Sequence, residues 1–189
     1  MLVKARPHPV EFWLPLLRRG VVVRATVNVS AMDFLVNAAR FDPEYIRERI
    51  GSVFLDGRPV DDLNRAAITE GCHLALGMAA PGLAGASLNR GSPLAEFRAD
   101  ISYRPGQGPM QPVPGTLTLK LFNLVARETA ASILRLGFAV PGEALDSVRA
   151  GDPQGFAACV SGIERGGREI APARFAGAFA DAPVRVALA

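Results

Sequence analysis

Residues 53–85 read VFLDGRPVDDLNRAAITEGCHLALGMAAPGLAG, and they decide the fold because two strand-like runs and a Gly- and Pro-rich apolar tail follow one another there. Residues 53–55 form a short apolar strand that turns at Asp56-Gly57, a dipeptide suited to two-residue hairpin loops because both central residues need positive φ. Arg58, Pro59 and Val60 return along it. Residues 73–78, entered through Glu70-Gly71, read as the next strand.

Upstream of this stretch, residues 10–17 and 21–29 are two apolar runs separated by Arg18-Arg19-Gly20. In the second, Val21, Val23, Val27 and Val29 alternate around Arg24, Thr26 and Asn28, which predicts a strand, and the pair reads as a β-hairpin. Pro15 lacks a backbone donor and confines the first run to a sheet edge. Ser30 followed by Asp33 has the form of a capping box and predicts a helix start. Phe34, Leu35, Ala38 and Ala39 continue at helical spacing. Asp42-Pro43-Glu44 then supplies a second N-cap with proline at the first helical position. Two short helices or one bent helix are expected over residues 31–49, ending at Gly51.

The resulting order is strand, strand, helix, strand with a small hairpin, strand, which is the order of the β-grasp fold. VFLDGRPVDDL followed by ITEGCHLALGMAAPGLAG resembles the end of the ubiquitin-like sulfur carriers of molybdopterin and thiamine biosynthesis. Val53, Gly57 and Val60 match that family's first strand and turn, and Glu70, Gly71, Leu74 and Leu76 match its last strand. The resemblance implies a β-grasp-like fold for the N-terminal part. It also implies carrier chemistry at a terminal glycine carboxylate, which is adenylated and converted to a thiocarboxylate. Here Ala84 precedes Gly85 and 104 residues follow it, so that chemistry requires cleavage after Gly85. The fold is therefore carried over and the activity is not; a processed carrier is kept as an alternative.

Downstream, residues 104–115, RPGQGPMQPVPG, hold four prolines and three glycines and read as a loop or linker. The expected organisation is a β-grasp-like domain over 1–103, a linker over 104–115 and a small mixed α/β domain over 116–189, α+β overall. In the last part, Leu117, Leu119 and Leu121 alternate with Thr116, Thr118 and Lys120 as a half-buried strand. Asn123 caps a helix that runs to Gly137, and Pro141-Gly142-Glu143 and Asp152-Pro153 start two more. Gly166-Gly167 closes a hairpin, and residues 184–188 form a terminal strand.

The 189 residues are 49% hydrophobic and 21% charged, which excludes disorder as the main state and allows a real core. The net charge of +3 comes from 19 arginines and two lysines scattered singly, without the basic clusters and aromatic partners of a nucleic-acid surface. Cys72 and Cys159 are far apart and lack a CxxC or a histidine cluster, so buried free thiols are expected rather than a disulfide framework or zinc site. The N-terminal apolar run contains Glu11 and Pro15 and makes a poor signal peptide. The weakly polar run over 74–88 is too short and too broken to span a bilayer. A cytoplasmic protein with no membrane segment is expected.

Candidates for chemistry each meet a physical objection. Cys72-His73 is the one adjacent thiol and imidazole, but neighbours on a strand point to opposite faces. Ser87 approaches a nucleophile elbow, with Asn89 where the second glycine is needed. Asp56, Asp61 and Asp62 lack calcium-loop spacing and have Arg58 and Arg65 beside them. The Gly-rich stretch 77–91 has no Gly-Lys-Ser/Thr. No catalytic, cofactor or metal residue is assigned. The expected role is a binding or interaction module for a protein partner or a second copy, with a surface formed by Pro81, Leu83, Leu88, Arg90 and Arg98, the two arginines at its rim. The alternative is an enzyme or enzyme subunit using Cys72, His73 or Ser87 in a pocket between the halves.

Overall fold

The computed structural model describes residues 1–79, 82–106, 111–175, 177–179 and 183–189, with the side chains of Leu83 and Ala84 outside the description. In chain order the elements are β1 (Leu2–Ala5), a 3-10 turn (Val10–Phe12), α1 (Leu14–Arg19), β2 (Val21–Val27), β3 (Val29–Ser30) and α2 (Ala31–Asp33), which widens into a π turn (Phe34–Ala38). They continue as α3 (Pro43–Glu48), β4 (Ser52–Leu55), β5 (Arg58–Pro59), β6 (Ala67–Ile68), β7 (His73–Gly77), α4 (Gly82–Leu88) and a 3-10 turn (Ala95–Arg98). The remainder is β8 (Val113–Leu121), α5 (Asn123–Leu136), β9 (Phe138–Val140), α6 (Gly142–Gly151), α7 (Pro153–Cys159), β10 (Val160–Arg165), β11 (Arg168–Ile170), a 3-10 turn (Pro172–Arg174) and β12 (Val184–Leu188). The protein is thus mixed α and β.

Local chemistry accounts for most of these boundaries. Ser30 Oγ accepts from Asp33 N at 3.0 Å, and Asp42 Oδ1 accepts from Glu44 N and Tyr45 N at 2.8 and 3.1 Å, so both expected N-caps form. Asp56 and Gly57 take φ of 50° and 78°, as the two-residue hairpin requires. Asp152 Oδ1 accepts from Gly155 N and starts α7. Gly166 and Gly167 close the β10–β11 hairpin with φ of 58° and 75°.

Two expected elements are corrected. Residues 10–17 are not the first strand of a hairpin but the 3-10 turn and the start of α1. Phe12, Leu16 and Arg19 recur at helical spacing, and Pro15 lies in the first turn of α1, where a missing N–H costs nothing. Leu14, Leu16 and Leu17 are buried, and Trp13 is buried with its Nε1 donating to Arg6 O at 2.8 Å. The stretch after Gly77, read as a loop, carries α4.

The chain divides into two compact units, a terminal one comprising Met1–Val23 and Arg127–Ala189 and a central one comprising Arg24–Ala126. The division falls elsewhere than residues 104–115, whose described part lies inside the central unit. The chain passes between units within β2 and within α5.

In the central unit the strands lie in the order β2-β8-β7-β4-β5. β4 pairs antiparallel with β5 and β7, and β7 pairs parallel with β8, His73 opposite Thr118 and Leu76 opposite Leu121. A parallel pair needs a long crossover, which the stretch between β7 and β8 supplies with α4 and a 3-10 turn. Val53, Leu55, Leu74, Leu76, Leu117, Leu119 and Leu121 are buried, with Phe34, Leu35, Ile46 and Ile50 from the helical segment. Arg24, Thr26, His73 and Lys120 alternate with the buried set and reach solvent, the pattern of a sheet covered on one face.

In the terminal unit the order is β11-β10-β1-β12-β9, with β1 antiparallel to β10 and parallel to β12. Phe12, Trp13, Phe138 and Phe156 pack edge to face. The Arg149 guanidinium lies 5.3–5.7 Å from the ring centres of Phe156, Phe175 and Phe179, in cation–π range.

Candidate interaction surface

The crossover between β7 and β8 is tied to the central unit by a polar network built on residues of very different sequence position. Gly51 comes so close to the backbone of Ala79 that a Cβ there would sit 2.5 Å from Ala79 N. Ser52 Oγ donates to Met78 O at 3.0 Å and lies 2.9 Å from Asn89 Oδ1. Arg90 N donates to Gly51 O, and its guanidinium donates to Ile46 O and Arg47 O at 2.7 and 3.2 Å. Tyr103 N donates to Pro59 O, and the Tyr103 hydroxyl accepts from Ala67 N at 3.2 Å.

Arg98 is the centre of this network. It is 4% exposed, and its guanidinium donates to Asp61 Oδ1 at 2.6 Å, Ser102 Oγ at 2.7 Å, Asn89 O at 3.3 Å and Ser87 O. Asp61 Oδ1 also accepts from Gly91 N at 3.1 Å. Partial burial works against the charged form of Asp61, and the bonds from Arg98 and Gly91 N outweigh it, so the carboxyl lies below its ordinary value of 3.8. Burial likewise lowers the Arg90 pKa, with the Asp61 charge opposing it.

The expectation that Arg90 and Arg98 stand at the rim of a contact surface is therefore corrected. Both guanidiniums are used inside the unit, because a buried guanidinium must fill its donors locally. Leu88 is half-buried. Pro81 and the Leu83 side chain lie outside the described residues. What reaches solvent is the pair flanking the buried arginine: Phe97 is 85% exposed and Ile101 55% exposed. Sequence reasoning passed over them, although F-R-A-D-I has two large apolar side chains at i and i+4 with a cation between.

The other candidates are not brought together. Cys72 is buried while His73 is exposed, and burial raises the Cys72 thiol to about 11, where it is protonated at neutral pH. Its neighbour His73 donates its backbone N–H to Asp56 Oδ1 at 2.8 Å. Asp62 Oδ1 accepts from Asn64 N at 2.9 Å, so the three carboxylates near the hairpin serve separate partners, Asp61 bonding Arg98 and Gly91 N. Among the described residues no group of three or more His, Cys, Asp and Glu side chains is placed to hold a metal. Gly85 lies within α4. No helix among the described residues is long and apolar enough to cross a membrane.

The chain matches no known protein family, no curated relative and no solved structure.

Proposed function

We propose that the protein is a cytoplasmic binding module that captures a protein partner through the apolar surface of the crossover, with Phe97 and Ile101 at its centre. The observation that carries this reading is the contrast between Arg98, 4% exposed, and Phe97, 85% exposed, one residue apart. A segment held by a buried four-partner arginine is not free to fold its apolar neighbours inward, and large apolar side chains fixed in water are the mark of a contact surface. Leu88 belongs to α4, which packs on the 3-10 turn that carries Phe97.

The central unit is a permuted relative of the β-grasp order to which the sulfur-carrier resemblance pointed. Of the five strands in its sheet, one, β2, precedes the helical segment instead of two, β3 pairing apart with β6. β8, which comes last, occupies the place between β2 and β7 that the absent first strand would fill. The close approach of Gly115 to Val27 places the start of β8 beside the end of β2, which runs the two antiparallel, as a hairpin would. On this reading the apolar tail of the carrier pattern has become a crossover and then a docking surface.

The test compares Phe97→Asp and Ile101→Asp with Leu124→Asp, which alters another exposed apolar residue, 43% exposed, in the first turn of α5. Capture of a partner from the native host, or self-association by light scattering, is expected to be lost in the first two and kept in the third. Equal behaviour of all three with the parent overturns the assignment.

A further inference from the structure

The terminal unit carries a cleft, independent of the surface above, between the segment from Val10 to Arg19 and the C-terminal half of α6. Its volume is about 370 Å³, within the size range of small-molecule sites. Phe12, Pro15 and Leu16 line one wall, and Ser147, Val148 and Gly151 line the other. Phe12 and Leu16 are buried, so the surface the cleft offers is mixed, with Pro15 and Val148 beside the polar Glu11, Arg19, Ser147 and Asp152. Gly151 leaves open space, with no atom within 4 Å of where a Cβ would stand.

The charged groups of the lining differ in their partners. Glu11 is paired with Arg127, and Asp152 Oδ1 is engaged by Gly155 N at 2.7 Å. α7, capped by Asp152, packs on the Val10–Phe12 turn that carries Glu11. Ser147 lies a turn before Gly151 on α6. Arg19 is exposed at the C-terminal end of α1 and forms no side-chain hydrogen bond or ion pair among the described residues. Glu11 and Arg19 are about 12 Å apart along the helical rise. A cleft of mixed polar and apolar lining thus holds two carboxylates, already partnered, and an unpartnered guanidinium.

We propose that this cleft binds a small organic acid, whose carboxylate pairs with Arg19 and whose apolar body lies along Pro15 and Val148. The carboxylates of Glu11 and Asp152 already have partners, which leaves Arg19 as the cation of the lining free to fix the orientation. An uncharged ligand of the same shape loses the charge-assisted bond and binds more weakly.

The probe is 4-phenylbutyrate, titrated into the full chain to about 10 mM, enough to fill a site of millimolar affinity, while amide shifts are followed by NMR. Saturable shifts at Arg19, Ser147, Val148 and Gly151 are expected, with affinity reduced by about tenfold in Arg19→Gln and for 4-phenylbutanol on the parent. Arg18→Gln, a change of like charge outside the lining, is expected to bind as the parent does. Gly151→Phe fills the cleft and abolishes the shifts without touching Arg19. Absence of saturable shifts, binding unchanged by Arg19→Gln, or equal binding of the alcohol overturns the proposal.

Discussion

Arg98 shows how one buried side chain organises an exposed one. Removing it in Arg98→Ala takes the Arg98 counter-charge from Asp61 and deletes the bonds to Ser87 O, Asn89 O and Ser102 Oγ, a loss of about 2–4 kcal/mol readable by urea denaturation. The linked carboxyl gives a pH signature. Its folded pKa is depressed, so its contribution is present above 3.8, the ordinary value, and is lost as pH falls through the lowered folded value. Asp61→Asn is expected to remove that acid-side slope from the urea midpoint; an unchanged slope contradicts the linkage. Gly51→Ala is expected to destabilise by about 1–3 kcal/mol, because the new Cβ meets backbone of Ala79 rather than a yielding side chain. Gly151→Ala meets open space and is expected to be neutral or stabilising by about 0.5–1 kcal/mol. At Cys72, the thiol raised to about 11 is expected to react with a thiol reagent near neutral pH at least about a hundredfold more slowly than in denatured chain. None of these contacts was legible in the sequence, because Arg98 with Asp61, and Gly51 with Ala79, meet only through the fold.

At the scale of elements, the sequence was legible where a boundary is written in local chemistry. Ser30, Asp42 and Asp152 each cap the helix they were expected to start, and Asp56-Gly57 makes its hairpin. Ser30→Ala and Asp42→Ala are each expected to lower stability by about 1 kcal/mol, measured by thermal denaturation, as loss of an N-cap does. The failure at residues 10–17 has the same root seen from the other side. A run of Phe12, Trp13, Leu14, Leu16 and Leu17 is apolar all round, so its period is hidden, and burial of nearly every side chain removes the amphipathic contrast that separates helix from strand. Pro15 was the usable signal. β1, with four residues, and β9, with three, are too short to show alternation, and their pairing with β12 supplies what propensity does not.

At the scale of the molecule, composition and pattern conveyed the class, a mixed α and β chain, and mislaid the division. Residues 104–115 have the composition of a linker, yet the units part at residues 23 and 126, inside regular elements. Proline and glycine mark where the chain turns, whereas a unit is set by which strands pair, and β1 finds β10 and β12 from the opposite end of the sequence. The same non-local pairing places β8 beside β7 and makes the stretch between them a crossover, in which Phe97 is 85% exposed. A photo-crosslinking amino acid at position 97 in the native host tests that role most directly. The account predicts a discrete crosslinked partner from position 97 and none from position 124; crosslinking that is absent at 97, or equal at both, contradicts it.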